Sequence, residues 1–173
     1  GRATSVYFVH LVIPMLPRLL CENLCSLNQN VDRLAYSIFF RIKRDGGLVT
    51  EYKPLIHRSV IRSCAKWNYD LVQDILDGKI TSMEEVDEEI WPKKYTFEEM
   101  YNDWYIFNEI AQNRRKWRFE TGSISVENPE FFFELDENDQ PMQFSEQKKI
   151  KSKELIEEYM LLANKLIAEF LVE

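Results

Sequence analysis

Cysteine and histidine are scarce in this sequence, which has three cysteines and two histidines among 173 residues. An odd number of cysteines does not complete a disulfide framework and fits a reducing compartment. A zinc site would need four ligands, and only His10 and His57 are available to join the cysteines. We therefore expect buried free thiols and no metal site built on them.

Long apolar runs are also missing. No run reaches the roughly 18 residues that a membrane-spanning helix needs, so we expect no membrane partner. The apolar residues 6–16 have no basic segment before them and no cleavage site after them, which argues against a signal peptide. The chain starts at Gly1 and is densely patterned from there, so we expect it to be an excerpt of a longer protein.

Positive charge is in deficit. The chain has 22 lysines and arginines against 29 aspartates and glutamates, a net charge of -7, which argues against a protein that coats nucleic acid. Acidic residues concentrate in 83–91 and 134–140, and basic residues in 113–119. A net charge says little about one local groove. The basic segment is therefore either a solvated helix end or a local nucleic-acid patch.

Several catalytic motifs are absent from the sequence. It has no glycine-rich phosphate loop, no serine at a nucleophile elbow, no metalloprotease helix motif and no paired-carboxylate cluster of the kind that binds two Mg²⁺. The acidic segment 136–139 is a turn and not an EF-hand, because the required glycine and glutamate do not follow it. Motifs of these kinds therefore do not identify a reaction.

The first half of the sequence predicts a hairpin and a helix. Apolar residues alternate over 34–42, a turn signal with two glycines follows at 43–47, and residues 48–65 read as extended. This order predicts an antiparallel hairpin. A short helix is predicted over 68–78, where Gly78 closes it.

The second half completes the prediction of the fold class. Thr96 and Glu99 form a capping box that opens a helix running to about Phe119, with Gly122 at its end. Because helices and strands fall in separate runs, we predict an α+β fold, a mixed antiparallel sheet with packed helices. The other predicted elements are an acidic loop at 79–95, two or three short strands within 123–145 and a last helix from Ser152 to Leu171.

The predicted last helix has two faces of different character, an apolar stripe and a mixed strip on the far side. We expect both faces to be covered, so Glu157 in the mixed strip would be a semi-buried carboxylate, which needs a partner. It would belong either to a structural ion pair or to a site, whereas Glu158 at the boundary is expected to be solvated. The stripe consists of Leu155, Tyr159, Leu162, Ala163, Leu166 and Phe170, and the strip of Glu157, Leu161, Asn164 and Ala168.

Two groups of aromatic residues fit either the core or nucleic-acid binding. Arg62 and Lys66 are interleaved with Trp67 and Tyr69, and cations with rings can hold phosphates and stack on bases. The same rings can serve the core where a strand meets a helix. Tyr7, near the start of the chain, is open to the same two interpretations.

Seven segments of the sequence carry a resemblance to a known family. They are, in chain order, RATSVY (2–7), IPMLP (13–17), LCSLN (24–28), DRLAYS (32–37), IRSCAKWNYDLVQ (61–73), TGSISVENPE (121–130) and LIEEYMLLAN (155–164). In this order and spacing they resemble the catalytic domain of the ribonuclease II (RNB) family, and most of all its eukaryotic cytoplasmic Dis3-like branch. The resemblance covers nearly the whole chain, apart from the acidic loop and part of the helix after it.

The resemblance implies processive, Mg²⁺-dependent hydrolysis of single-stranded RNA from the 3′ end, with release of nucleoside 5′-monophosphates. It implies that Tyr7 stacks on the 3′-terminal base and that Tyr69 and Glu157 contact ribose near the cleaved bond. The 2′-hydroxyl is what distinguishes RNA from DNA, so these contacts would favour RNA. Ser125 stands where the bacterial enzymes have a second clamping aromatic residue, which leaves that side of the stack unassigned.

By the same resemblance, other functional groups of the family lie outside this chain. The aspartates that bind Mg²⁺ would precede residues 2–7, and an arginine for the scissile phosphate and an S1 domain would follow the last helix. Residues 1–173 are therefore expected to be a partial RNB catalytic domain, without catalytic residues of its own and inactive alone. The alternative is a non-catalytic RNA-binding regulator that keeps the fold without the metal carboxylates.

The resemblance also implies a setting for the protein. The Dis3-like branch implies a cytoplasmic location, with the nucleus as the second choice. It implies single-stranded RNA as the partner. Action independent of the exosome is expected over association with it.

Overall fold

Helices and antiparallel strand pairs occupy separate stretches of the chain, which confirms the predicted α+β class. The computed structural model describes residues 4–8, 11–87, 90, 95–124, 131–136, 140–146 and 150–172. Within these ranges the strands form three two-stranded ladders, and no helix is long and apolar enough to span a membrane. The elements are β1 (Val6–Tyr7), β2 (Val12–Ile13), a π-helical turn (Leu19–Leu24), β3 (Asp32–Phe39), β4 (Leu55–Arg62), α1 (Tyr69–Leu76), a 3₁₀ turn (Met83–Glu85), α2 (Phe97–Glu120), β5 (Phe131–Leu135), β6 (Pro141–Glu146) and α3 (Lys151–Val172).

The predicted central hairpin is present as β3 and β4. Its antiparallel register runs from Asp32 opposite Arg62 to Phe39 opposite Leu55. The second strand begins later than the predicted extended segment, directly after Pro54. Proline has no N–H to donate to a ladder, so it lies outside the paired region.

The connection between β3 and β4 is fastened to α2. Asn113 Nδ2 donates to the carbonyl of Arg44 and Arg114 Nη1 donates to the carbonyl of Gly46, both at 2.8 Å. Gly46 has a φ of +84°, and a Cβ there would lie 2.7 Å from Arg114 Cγ. Only glycine combines this backbone conformation with so close an approach. The hairpin therefore reaches α2 through its turn.

The helices α1 and α2 each start at a capping residue. Thr96 Oγ1 accepts from the N–H of Glu99 at 3.3 Å, and Glu99 Oε2 accepts from the N–H of Thr96 at 2.8 Å, which completes the predicted capping box of α2. The bond from the Thr96 N–H lowers the pKa of Glu99. Asn68 Oδ1 accepts from the N–H of Leu71 at 2.8 Å and caps α1. Gly122, with a φ of +109°, follows the end of α2 as predicted.

The core lies among the three helices, since α1 and α2 both pack against α3. Gln73 of α1 accepts a hydrogen bond from the backbone N–H of Ser152 at 3.1 Å, so one of the free N–H groups at the start of α3 is bonded to α1. The centre of the predicted apolar stripe of α3 is in this core, whereas Phe170 at its end is exposed. The buried apolar side chains are Val72, Ile75, Val86, Ile110, Ala111, Leu155, Leu162 and Leu166.

The far face of α3 is largely exposed, so the prediction that both faces of this helix are covered is wrong. Glu157, Asn164 and Ala168 are exposed, and Leu161 is half-buried. The neighbouring helices α1 and α2 pack on the opposite, leucine-bearing face. Leu161 and Ala168, the two apolar residues in this strip of four, do not create a second buried face.

The prediction of buried thiols is also wrong. All three cysteines are free, but Cys25 and Cys64 are exposed and Cys21 is half-buried. They lie at the π-helical turn and just after β4, outside the helical core, so their surroundings cover little of their surface.

The strands after α2 agree with the sequence as far as they are described. β5 and β6 pair antiparallel, with Phe133 opposite Phe144. Next to this pair, the N–H of Asp136 donates to the carbonyl of Gln140 at 2.8 Å, and the predicted turn at 136–139 lies largely outside the described residues. The prediction about Ser125 lies outside the described residues.

Candidate functional site

Five charged side chains meet between α2 and α3. Arg115 and Arg118 extend from α2, and Glu154, Glu157 and Glu158 extend from α3. We refer to these five residues as the α2–α3 ion cluster. Residues three or four apart on a helix share a face, so each helix presents its charges to the other on one side.

Glu158 is the buried centre of the α2–α3 ion cluster. Its side chain is 2% exposed, and its Oε1 lies 2.7 Å from Arg118 Nη2 and 3.5 Å from Arg115 Nη1. The prediction that Glu158 is solvated is therefore wrong. It lies within the apolar stripe, between Leu155 and Leu162, and the guanidinium groups replace the water that the buried carboxylate gives up.

The two arginines of the cluster are held from several sides. The hydrogen bond to Glu158 raises the pKa of Arg118, and Arg115 Nη2 lies 3.2 Å from Glu154 Oε1. The ring of Phe119 lies 5.0 Å from Arg115 Cζ and 4.8 Å from Arg118 Cζ, within range for cation–π attraction. Both guanidinium groups are therefore fixed within the protein itself.

Glu157 is the member of the cluster that reaches solvent. Its side chain is 47% exposed, its Oε2 lies 3.7 Å from Arg115 Nη1, and its Oε1 lies 3.7 Å from Arg118 Nη2. These are ion-pair distances beyond the range of a hydrogen bond, and within the described residues nothing donates a hydrogen bond to Glu157. The ion-pair interpretation of Glu157 is therefore confirmed, and the same carboxylate can still accept a hydrogen bond from a ligand.

Tyr69 lies close to the same helix. It is the first residue of α1 and is 46% exposed. Lys153 Nζ of α3 lies 5.8 Å from the centre of its ring. Lys153 precedes Glu157 by one helical turn on the same face of α3. The structure thus links Tyr69 and Glu157 through α3, as two exposed polar groups beside one helix.

Tyr7 lies on a separate part of the chain. It is 76% exposed in β1, which pairs with β2. Ser5 Oγ accepts from the N–H of Met15 at 3.0 Å and holds the proline-containing segment beside this pair. No hydrogen bond, ion pair or ring contact in the described part of the chain joins Tyr7 to Tyr69 or Glu157. The convergence of Tyr7 with Tyr69 and Glu157 on one ligand therefore stays a prediction.

Two of the other candidate residues, Trp67 and Arg62, have contacts within the protein. The rings of Trp67 and Trp104 meet edge to face at 6.0 Å, and an aromatic chain continues from there to Tyr159. Arg62 Nε lies 2.7 Å from Asp32 Oδ1 across the hairpin. For Trp67 and Arg62 the core and strand interpretations therefore account for the contacts.

The arginines of the ion cluster are functional candidates that the sequence prediction missed. The basic segment 113–119 was expected to be a solvated helix end or a nucleic-acid patch, but Arg115 is 18% exposed and Arg118 25% exposed, and both face carboxylates. The signal was present in the spacing. Two arginines three apart on one predicted helix matched acids one turn apart on another.

The described residues do not fit a magnesium site. Among them, no three histidine, cysteine, aspartate or glutamate side chains come together so that they could hold a metal ion. The carboxylates of the ion cluster face arginines, whose positive charge disfavours a cation at the same place. We therefore assign no metal-dependent step to these residues.

The geometry defines an α+β domain with an open carboxylate and a tyrosine beside the same helix. The RNB domain family matches residues 1–173. The chain belongs to this family, as the resemblance predicted.

Curated relatives with different names resemble the chain to a similar degree. It is 37% identical over 169 residues to a DIS3-like exonuclease 2 of Schizosaccharomyces pombe, covering 98% of this chain and 18% of the relative. It is 39% identical over 171 residues to an Arabidopsis thaliana protein named inactive exonuclease DIS3L2, covering 97% of this chain and 16% of the relative. The chain spans about a fifth of the length of the curated relatives it matches.

A solved structure supports the fold. The chain superposes on Mycoplasma genitalium RNase R in complex with ribose methylated single-stranded RNA with a TM-score of 0.81 and 24% sequence identity. The match covers 98% of this chain and 24% of that chain. The α+β architecture is therefore of the RNB type.

Proposed function

We propose that the chain is the central part of an RNB catalytic domain in a 3′-to-5′ exoribonuclease that acts on single-stranded RNA. Membership of the RNB family and the similarity to a protein named as an exonuclease support this proposal. In the full-length protein, hydrolysis of the last phosphodiester bond would release a nucleoside 5′-monophosphate and leave a new 3′-hydroxyl. We further propose that degradation is processive and depends on Mg²⁺, with the metal ligands on residues outside this chain.

The observation that carries the proposal is the half-exposed carboxylate of Glu157. It is held by two arginines at 3.7 Å and receives no hydrogen bond from the described residues. A ribose 2′-hydroxyl is a donor that such a carboxylate can accept, and deoxyribose lacks it. Tyr69, exposed beside the same helix, carries a hydroxyl suited to the same sugar. Tyr7 would stack on the terminal base from the β1–β2 pair.

The second candidate function is a non-catalytic RNA-binding regulator. The similarity to a relative named as an inactive exonuclease favours it. That relative is about as similar to this chain as the one named DIS3-like exonuclease 2, so overall identity over the shared segment does not separate the two functions.

The setting of the protein is part of the proposal. Single-stranded RNA would be its partner, and it would act in the cytoplasm, with the nucleus as the second choice, without a need for the exosome. No membrane partner is proposed.

Activity on labelled RNA tests the proposal. The full-length protein with Mg²⁺ should shorten 5′-labelled single-stranded RNA to a ladder and leave DNA of the same sequence largely intact. Glu157→Ala should lower the RNA-to-DNA ratio of kcat/KM by about tenfold or more, since a hydrogen bond to a charged group is worth about 1.5–3 kcal/mol. Residues 1–173 alone should produce no ladder.

A matched control is available on the same helix. Glu169 is exposed and pairs with Lys165 at 3.7 Å, so Glu169→Ala should leave the ratio unchanged. Binding of RNA without any shortening would support the regulator instead. A parental ratio in Glu157→Ala would rule out the ribose contact.

A further inference from the structure

The carboxylate of Glu157 is held on both sides. Its two oxygens face different arginines, Oε2 facing Arg115 and Oε1 facing Arg118, each at 3.7 Å. An exposed glutamate on a helix otherwise samples many rotamers. Two opposite charges, one for each oxygen, favour the rotamer that points the carboxylate between them. The orientation of Glu157 is therefore set by α2 and not by its own helix.

The arginines keep their own positions without Glu157. Arg118 forms bonds to Glu158 from both Nε and Nη2, and Arg115 lies between Glu154 and Glu158. Both are mostly buried and so have little surface for direct contact with a ligand. The two arginines can therefore affect a bound ligand through Glu157, the exposed member of the ion cluster.

We propose that Arg115 and Arg118 are positioning residues that hold Glu157 for recognition of the ribose 2′-hydroxyl. The inference rests on the proposed function, in which Glu157 contacts ribose. Without the arginines, the carboxylate would face the sugar for only part of the time. RNA would lose this contact, whereas DNA never had it, so the preference for RNA would fall while the hydrolytic groups stay in place.

Arg115→Gln is the more informative variant. Arg118 is the main partner of the buried Glu158, and its loss endangers the fold. Arg115 contacts Glu154 in addition to Glu157, so Glu154→Gln is the matched control: it removes that contact and leaves the pair with Glu157.

The experiment measures kcat/KM of the full-length protein on RNA and on a matched oligonucleotide with a deoxyribose 3′ end. We expect Arg115→Gln to lower the RNA-to-DNA ratio by about fivefold, since small displacements of a positioning contact have effects of this order or larger. Glu154→Gln should stay within about twofold of the parent ratio. Arg115→Lys should restore part of the ratio, because it keeps the charge but not the planar fork.

A variant cycle completes the test. In the Glu157→Ala background, Arg115→Gln should have no further effect on the ratio, because the residue it positions is gone. An additional loss in that background, or an equal loss in Glu154→Gln, would overturn the inference. A parental ratio in Arg115→Gln would overturn it as well, while a lowered ratio in Glu157→Ala would leave the proposed function standing. A parental ratio in Glu157→Ala would overturn the inference together with the proposed ribose contact, and shortening of RNA by the parent protein would still support the exoribonuclease.

Discussion

The helical layer and the β3–β4 hairpin differ in how they cover apolar surface. Leu155, near the start of α3, is 2% exposed, whereas Leu34, on β3, is 88% exposed. In the helical layer, α1, α2 and α3 pack against one another. The hairpin is a two-stranded ladder, and side chains of α2 donate hydrogen bonds to backbone carbonyls of its turn, at Arg44 and Gly46.

The difference shows where the stability of this chain resides. A two-stranded hairpin is marginal by itself, so we expect the turn contacts with α2 to stabilise the β3–β4 pair. The helical layer has an apolar core and a buried charge that is fully paired. It also carries Glu157 and Tyr69, so the proposed ribose site stands on the better-packed part of the molecule.

Breaking the ion cluster should have the largest effect on the helical layer. Arg118→Ala leaves the buried Glu158 without its main partner and should cost about 3–5 kcal/mol of unfolding free energy. Urea unfolding of the full-length protein, followed by tryptophan fluorescence, measures it, since Trp104 lies in the aromatic chain that reaches α3. Lys116→Ala is the control, because Lys116 is exposed on the same helix. Equal midpoints for the two variants would show that Glu158 does not depend on Arg118.

Paired leucine truncations compare the two regions directly. Leu155→Ala should cost about 3 kcal/mol through lost burial and a cavity, and Leu34→Ala less than about 0.5 kcal/mol in this chain. The same unfolding measurement applies to residues 1–173 and to the full-length protein. A large cost for Leu34→Ala in residues 1–173 would contradict the contrast between the regions.

The smallest predicted effect is a decline in unfolding free energy at high pH, caused by Tyr159 in the helical layer. Burial raises the pKa of Tyr159 to about 12 from its ordinary 10.0, and its hydroxyl donates to the carbonyl of Phe107 at 3.3 Å. The folded state therefore keeps a proton that the unfolded state loses, so this contribution is complete below pH 10 and declines between pH 10 and about 12. Tyr159→Phe should flatten that decline in a series of urea midpoints. An equal decline in both proteins would assign it to other groups.

Local patterns predicted much of the fold, because caps and alternation are properties of neighbouring residues. Thr96 and Glu99 form the predicted box, and the hairpin pairs as its alternation indicates. The prediction for Glu158 was wrong because its environment is not a property of neighbouring residues. Its burial depends on Arg118, which lies on another helix, and the periodicity of α3 contains no information about that partner.

The site was predictable only in part. The resemblance singled out Tyr69 and Glu157, and the structure places both beside α3. The resemblance did not single out Arg115 and Arg118. Their spacing matched the acids of α3, but only the packing of the two helices shows that these charges meet. Tyr7 lies on the β1–β2 pair. No contact among the described residues links Tyr7 to α3. Its stacking role stays a prediction.

The most direct test of the ribose contact is a structure of the full-length protein bound to RNA with a non-hydrolysable 3′ linkage. We predict that a carboxylate oxygen of Glu157 lies about 2.6–3.2 Å from a 2′-hydroxyl next to that linkage, with Tyr69 at the same sugar. An RNA 3′ end bound elsewhere, with Glu157 facing only its arginines and solvent, would contradict the account.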